Sequence, residues 1–149
     1  MLRCKDVIVD DAMNFVKGFG IANDVTARIW QKERNGGQWT RGKSFDSFCP
    51  VSDFVDVSEV QQPQNLLIET FLNGQCVQSS NTSQMIFSIC EIISELSKDM
   101  TILKGTIILT GTPSGVGAAK KPPRYLKDGD VVEVTISSVG TLSNQIIQK

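Results

Sequence analysis

The sequence predicts an α+β fold in which strands outnumber helices. Asn73-Gly74 separates two apolar runs, which is the strongest hairpin signal that a short stretch can carry, and predicts two antiparallel strands. The β-branched run at 131–136 predicts a further strand. Ser88 and Glu91 have the spacing of a capping box and precede isoleucines at helical spacing, so they predict one helix with a buried face.

Weaker signals predict the elements between these anchors. We expect a brief helix at 12–16, a strand at 18–24 and a helix at 25–34, with a last short strand around Leu142. The continuous apolar run at 107–110 predicts a strand that is buried on both sides. No repeat or low-complexity segment divides the 149 residues, so we expect one domain, 1–149.

Composition excludes several classes of function. The chain is 40% hydrophobic and 21% charged, with a formal net charge of -1, so nothing steers it toward nucleic acid or an anionic membrane. No apolar run reaches the ~20 residues that span a bilayer. The first residues lack the apolar core of a signal peptide, and we expect a cytoplasmic or mitochondrial protein with no visible targeting segment.

The chain has no histidine, and this absence limits its chemistry. Any catalysis by these residues uses carboxylates, lysine, hydroxyls, thiols or a metal, because the usual general base near neutral pH is missing. The four cysteines lie far apart without a CxxC pair, which favours free thiols over a zinc site.

The stretch at 20–45 concentrates charged and polar residues beside short apolar runs. Asp24, Arg28 and Gln31 lie four and three residues apart, so a helix would bring them onto one face, and Lys43 follows in the next loop. A functional site and a plain structural pair, in which Asp24 caps the helix and contacts Arg28, both fit this spacing.

Two glycine-containing stretches resemble anion-binding loops. Residues 37–44 match the pattern GxxxxGKS, but the polar residues before them do not predict a strand and those after them do not predict a helix, which a phosphate loop requires. The second stretch, 111–117, places Thr112 and Ser114 among three glycines directly after a predicted strand. It fits either backbone N–H groups that face a ligand anion or an ordinary turn.

Taken together, the motifs resemble those of the fumarylacetoacetate hydrolase family, in particular its short members with a single catalytic domain. The matching stretches occur in the family's order over nearly the whole chain: Ala22 to Arg28, Gln38 to Asp46, Leu72 to Gly74, Met85 to Ser88, Ile107 to Gly117 and Leu126 to Asp130. The resemblance implies a strand-rich fold with a rolled β core, usually a homodimer.

The resemblance also implies an activity. The family cleaves or decarboxylates 1,3-diketo and 2-oxo acids, of the acylpyruvate or oxaloacetate type, through a metal-bound enolate, with Mg²⁺ or a similar ion (Mn²⁺ or Ca²⁺) held by carboxylates. By motif, Asp24 corresponds to a metal ligand, and Lys43 to the catalytic cation. The substrate-binding positions are Arg28, Gln31, Gly111 and Thr112.

Some family features are not found in the sequence. The Glu-x-Glu pair that completes the family's metal site is absent, and Ile29 stands where an aspartate commonly follows the arginine. The chain therefore resembles a catalytic domain without its amino-terminal part. We expect either a metal-dependent hydrolase or decarboxylase, complete once those ligands are supplied, or an inactive fragment that keeps the fold as a structural or dimerisation module.

Overall fold

The computed structural model describes residues 3–147, which form six strands and two α-helices joined by short 3₁₀ turns. The strands are β1 Gly18–Phe19, β2 Val55–Asp56, β3 Leu67–Leu72, β4 Gln75–Asn81, β5 Val131–Ile136 and β6 Gly140–Gln145. The helices are α1 Arg28–Lys32 and α2 Ile89–Ser97. Strands outnumber helices in the described residues, as predicted.

An antiparallel four-stranded sheet in the order β4-β3-β5-β6 forms the centre of the fold. The β3–β4 hairpin turns at Asn73 and Gly74, whose φ angles of 51° and 78° are the left-handed values that a tight two-residue turn requires. Val132 and Val134 of β5 point to the buried face, where Ile21 packs against them. The predicted hairpin and the predicted strand at 131–136 are both confirmed.

Helix α2 is fixed by the capping box that its sequence predicts. The Ser88 hydroxyl accepts a hydrogen bond from the backbone N–H of Glu91 at 3.2 Å, and the Glu91 carboxylate accepts one from the backbone N–H of Ser88 at 2.6 Å. Ile93 then packs with Val7 and Ala12 in a second hydrophobic cluster. Hence α2 buries one face against the amino-terminal residues.

The elements predicted at 12–16, 18–24 and 25–34 are shorter or different in the structure. The first is a 3₁₀ helix, Val9–Phe15, and the second is a strand only at Gly18–Phe19, with a single bridge from Ala22 to Val51. The third forms α-helix only over Arg28–Lys32, because the preceding residue is extended and provides no side-chain cap. Local sequence overestimates the strand because, beyond Phe19, only Ala22 bridges to another segment among the described residues.

The prediction of a strand at 107–110, buried on both sides, is wrong. These residues belong to no helix or strand, and Ile107 and Leu109 are 51% and 43% exposed. The apolar run has the composition of a strand, but no neighbouring strand lies beside it in the described part of the chain. A strand forms only when a partner accepts its backbone hydrogen bonds.

All four cysteines are free, and Cys76 is exposed while the other three are half-buried. Burial raises the pKa of the Cys4 thiol above its usual value. Among residues 3–147, no helix combines the length and apolar character needed to cross a membrane.

The buried carboxylate of Asp130 joins the hairpin turn to β5. It accepts hydrogen bonds from the Asn73 side chain at 2.9 Å, from the backbone N–H of Lys127 at 2.8 Å and from Arg124, which contacts both oxygens at 2.8 Å. The Asn73 amide also accepts from the backbone N–H of Val131 at 2.8 Å. These hydrogen bonds, with that from Asn73 first, hold the pKa of Asp130 below its usual value.

We predict that Asp130→Asn lowers the free energy of unfolding at pH 7 by about 2 kcal/mol, because charged hydrogen bonds are lost at constant size. The folded-state pKa lies below the unfolded value of about 3.9, so this stabilisation is complete above that value and is lost as the pH falls toward the folded pKa. Urea unfolding at pH 7 and pH 3 measures the difference in unfolding free energy between the variant and the unmodified chain, with the exposed Asp53→Asn as control. A difference that does not shrink at pH 3 would contradict this account.

Candidate active site

Asp24 and Lys43 form an ion pair at the edge of a large cavity. The Lys43 ammonium donates a hydrogen bond to the Asp24 carboxylate and lies 3.4 Å from the Thr26 hydroxyl. Lys43 is half-buried at the end of the 3₁₀ turn Thr40–Lys43, whereas Asp24 precedes α1 and is exposed. The pair joins two segments that lie 19 residues apart in the sequence.

Gly42 brings the lysine loop against α1. Its carbonyl accepts a hydrogen bond from the backbone N–H of Ala27 at 2.9 Å. A Cβ atom at position 42 would lie 2.9 Å from the Cβ of Gln31 and 3.0 Å from its backbone nitrogen, closer than side chains normally approach. Only glycine therefore fits here without a shift, and its small size lets the residue directly before Lys43 pack against Gln31.

Gln31 is buried but keeps one hydrogen-bond donor unused. The side chain is 1% exposed, and its Oε1 accepts from the Arg28 guanidinium at 2.9 Å. Its Nε2, like the Nδ2 of Asn23 next to Asp24, has no partner among the described residues. Because a buried donor without a partner costs about 1–3 kcal/mol, such groups mark places where a ligand oxygen fits.

The expectation that Asp24, Arg28 and Gln31 share one helix face holds only for the last two. Asp24 lies outside α1, neither caps it nor pairs with Arg28, and uses its carboxylate on Lys43. The local alternative of an Asp24–Arg28 pair is therefore wrong. Arg28 and Gln31 are in contact as the spacing of three predicts.

Thr112 lies on a different wall, next to β4. Gln78 of β4 donates from Nε2 to the Thr112 hydroxyl at 2.9 Å and to the Pro113 carbonyl at 2.8 Å. Because the Thr112 oxygen serves as acceptor, its own O–H remains available to donate to an anion. Gly115 packs so tightly on the same strand that a Cβ would lie 2.2 Å from the carbonyl oxygen of Val77.

One cavity of about 2440 Å³ connects these walls. All six predicted site residues line it: Asp24, Arg28, Gln31, Lys43, Gly111 and Thr112. Two contacting pairs, Asp24–Lys43 and Arg28–Gln31, lie together at α1, while Thr112 makes its contact with β4. The cavity far exceeds the roughly 300–1000 Å³ of an ordinary ligand pocket, so the described residues form an open bowl.

An aromatic cluster anchors the lysine loop from its other side. The ring centroids of Trp30 and Phe45 lie 5.5 Å apart in an edge-to-face arrangement, and those of Phe45 and Phe48 lie 5.4 Å apart. Arg41 stacks on Phe45 at 4.3 Å and on Trp30 at 5.1 Å. The guanidinium of Arg41 is therefore part of the scaffold rather than of the ion pair.

The surroundings of residues 37–44 do not match a phosphate loop. α1 and a 3₁₀ turn precede the loop where a strand is required, and residues 44–50 contain no helix after it. Lys43, the residue that would reach a phosphate, is paired with Asp24. The structure therefore disfavours nucleotide binding for the reason that the sequence suggested: no strand precedes the loop and no helix follows it.

The described residues do not by themselves fit a divalent metal. Across residues 3–147, no three side chains from histidine, cysteine, aspartate and glutamate come close enough to hold an ion. Asp24 offers one carboxylate at this edge of the cavity, and Lys43 already neutralises it. Mg²⁺ gives up its water reluctantly and a single neutralised carboxylate holds it weakly, so the metal role of Asp24 stays a prediction.

Comparison with known proteins identifies the family. The match to the family model for the fumarylacetoacetate (FAA) hydrolase C-terminal domain covers residues 2–147. The chain belongs to the fumarylacetoacetate hydrolase family. This membership confirms the resemblance drawn from the motifs, and with it the strand-rich α+β fold of that family.

Curated relatives in the family are similar over nearly all of this chain. The mitochondrial oxaloacetate tautomerase FAHD2A of Bos taurus is 47% identical over 146 residues, covering 97% of this chain and 46% of the relative. The oxaloacetate tautomerase YisK of Bacillus subtilis is 49% identical over 138 residues, covering 92% and 45%. The chain thus spans about half the length of the curated relatives that it matches.

Solved structures of the family have the same fold. The fumarylacetoacetate hydrolase of Exiguobacterium antarcticum matches with a TM-score of 0.92 and 42% identity, over 99% of this chain and 53% of that one. A maleylpyruvate hydrolase of Sphingobium, in complex with manganese(II) and pyruvate, matches with a TM-score of 0.83 and 30% identity, over 98% and 50%.

Sequence reasoning missed Gln78, Thr26 and Asn23 as members of the site. Gln78 lies in the predicted hairpin, and nothing in its local pattern links it to Thr112, 34 residues away. Thr26 and Asn23 flank Asp24 in a matching stretch, but only the structure shows that one contacts Lys43 and that the other has an unpaired amide.

We predict that Gly42→Ala lowers the free energy of unfolding by about 1–3 kcal/mol, because the added methyl group overpacks the contact with Gln31. The matched control is Gln38→Ala at an exposed position of the same loop, with an expected change within about 0.5 kcal/mol. Urea unfolding of both variants is the measurement. Equal stabilities of Gly42→Ala and the unmodified chain would show that the loop does not pack as described.

Proposed function

We propose that this chain forms the substrate-binding wall of an enzyme that converts 2-oxo acids through an enolate. The observation that carries the proposal is the Lys43 ammonium, held by Asp24 on the same cavity that is lined by Gln31, whose Nε2 is buried and unpaired. A cation and an unpaired donor on one cavity suit a ligand with several oxygens, which a 2-oxo acid provides. The names of the relatives, oxaloacetate tautomerase and maleylpyruvate hydrolase, support the same class of substrate.

Substrate binding would use donors on both walls of the cavity. Gln31 Nε2 donates to one substrate oxygen, and Arg28 keeps the Gln31 amide oriented through its 2.9 Å hydrogen bond. Thr112 donates its O–H to a carboxylate, while Gln78 holds the Thr112 oxygen at 2.9 Å. Positive φ at Gly111 turns the chain directly before Thr112, so this residue shapes the second wall rather than contacting the substrate through a side chain.

The chemical contribution of Lys43 is charge stabilisation. Loss of a proton or a bond at the carbon next to the ketone transfers negative charge to the ketone oxygen. A preorganised cation at that oxygen stabilises the transition state by about 3 kcal/mol. Asp24 and Thr26 fix the ammonium before the substrate arrives, so little reorganisation accompanies the reaction.

Among enolate reactions we propose keto–enol tautomerisation of an oxaloacetate-type acid first. FAHD2A and YisK, which are 47% and 49% identical to this chain, are both named oxaloacetate tautomerases. Hydrolysis or decarboxylation of C–C bonds, the expectation from the motifs, is the second candidate, and the maleylpyruvate hydrolase at 30% identity supports it. Hydrolysis additionally requires an activated water, for which this chain has no histidine.

The same proposal includes a metal ion, an oligomeric state and a cellular location for the complete enzyme. We propose Mg²⁺ or a similar ion for the complete enzyme, with Asp24 as one ligand, on the support of the manganese complex of a relative. We further propose that residues 1–149 form a single catalytic domain, that the enzyme is a homodimer and that it is cytoplasmic or mitochondrial. The alternative is an inactive structural module, in which the unpaired amides of Gln31 and Asn23 would bind nothing.

We predict that the chain binds oxalate, a planar analogue of an enolate with adjacent oxygens, and that Lys43→Met weakens this binding about tenfold or more through loss of a charged contact. Isothermal titration calorimetry measures the affinity. The matched control is Lys127→Met, which removes the same charge from a residue that does not line the cavity.

Two results would refute the proposal: no saturable oxalate binding by the unmodified chain, or equal losses of affinity in the two variants. The second result would mean that overall charge, not the position of the ammonium at the cavity, attracts the anion.

A further inference from the structure

Gln78 contacts the loop at 111–117 through a single amide nitrogen that has two partners. Its Nε2 lies 2.9 Å from the Thr112 hydroxyl oxygen and 2.8 Å from the Pro113 carbonyl oxygen. A backbone carbonyl only accepts hydrogen bonds, so the amide atom at this position is the nitrogen and not the oxygen. The Pro113 carbonyl therefore fixes the orientation of the Gln78 amide, and the second N–H donates to Thr112.

The same amide determines how the Thr112 hydroxyl is used. Because Gln78 donates to the Thr112 oxygen, the O–H bond points away from Gln78 and acts as a donor. Thr112 is exposed and lines the cavity, and its O–H meets no acceptor among residues 3–147. The hydroxyl is thus left to donate to a ligand in the cavity.

A β-bulge in the hairpin brings Gln78 to the cavity. The register between β3 and β4 shifts between Thr70 and Phe71, so that Thr70 pairs with Gln78 and Val77 is the extra residue. Without the extra residue, Gln78 would pair with Glu69. Thr70 lines the cavity and Glu69 does not, and side chains directly opposite each other share a face of the sheet. The bulge therefore turns the Gln78 side chain to the cavity face.

Gly115 packs against the stem of the Gln78 side chain. A Cβ atom at position 115 would lie 3.1 Å from Gln78 Cγ and 2.2 Å from the Val77 carbonyl oxygen. The φ angle of 109° at Gly115 also favours glycine. This close contact holds Gln78 in place, so its amide needs little further ordering when a ligand meets Thr112.

We infer that Gln78 is a positioning residue of the site, which acts on a bound carboxylate only through Thr112. The inference deepens the proposed function and rests on it. A threonine hydroxyl without such a partner rotates among several directions, whereas Gln78 occupies one lone pair of the oxygen and aligns the O–H before the ligand arrives. A preorganised donor binds more tightly because less freedom is lost on binding.

Nuclear magnetic resonance of the Gln78 side-chain amide tests this positioning without a ligand. Thr112→Val removes the acceptor oxygen at nearly constant size, so we expect one of the two Nε2 proton signals to shift upfield and to exchange faster with water. The proton that donates to Pro113 should change less. The matched control is Thr106→Val, at an exposed position elsewhere on the cavity, which should leave both signals in place.

A double-mutant cycle tests whether Gln78 acts through Thr112. The ligand is oxaloacetate, which has a carboxylate at each end, so either orientation offers one to Thr112. We expect Thr112→Val to weaken binding about tenfold and Gln78→Met, a neutral change of similar size, about fivefold. In the Thr112→Val background, Gln78→Met should cause less than about a twofold further loss. Isothermal titration calorimetry measures the four affinities.

The matched control is Gln75→Met, at an exposed position of the same strand that does not line the cavity, and its affinity should stay within about twofold. A merely structural effect of Gln78→Met would move the backbone amide signals of Val116 and Gly117 and would persist in the Thr112→Val background.

Three results would overturn the inference alone: unchanged Gln78 amide signals in Thr112→Val, equal losses from Gln78→Met in both backgrounds, or an equal loss from Gln75→Met. Absence of oxaloacetate binding by the unmodified chain would instead refute the proposed function, and this inference with it.

Discussion

The ion pair between Asp24 and Lys43 is the contact on which the candidate site depends. It joins the segment that leaves β1 to the loop after α1, and Gly42 sets how closely that loop approaches the helix. The consequence is that a cation and a hydroxyl lie together on a cavity that Gln31, with its unpaired buried amide, also lines. Each of these groups alone would be an ordinary structural feature; their presence on one open cavity supports a role in binding an anion with several oxygens.

The sequence predicts best the features that depend on residues close to one another in the chain. The Asn73-Gly74 turn and the Ser88/Glu91 capping box are decided by atoms a few residues apart, and the structure confirms both. The strand at 131–136 follows from its β-branched composition. Pairs such as Arg28 and Gln31, three residues apart on a helix, are predictable for the same reason. The order of motifs identified the family, which spacing alone would not have done.

Features that depend on distant partners were not predictable. The Asp24–Lys43 pair and the Gln78–Thr112 hydrogen bond join residues 19 and 34 positions apart, and no local period encodes them. Residues 25–34 contain good helix formers, but without a cap the helix begins only at Arg28. Residues 107–110 have the composition of a buried strand, but no strand pairs with them among residues 3–147, so the local pattern predicts an element that the described residues do not form.

The most direct test of the central claim is nuclear magnetic resonance of the Lys43 side-chain ammonium, with and without oxalate. The account predicts an ammonium signal protected from exchange with water, which shifts when oxalate binds and loses its protection in Asp24→Asn but not in Asp53→Asn. A Lys43 ammonium that exchanges as freely in the unmodified chain as in Asp24→Asn, and that does not respond to oxalate, would contradict it.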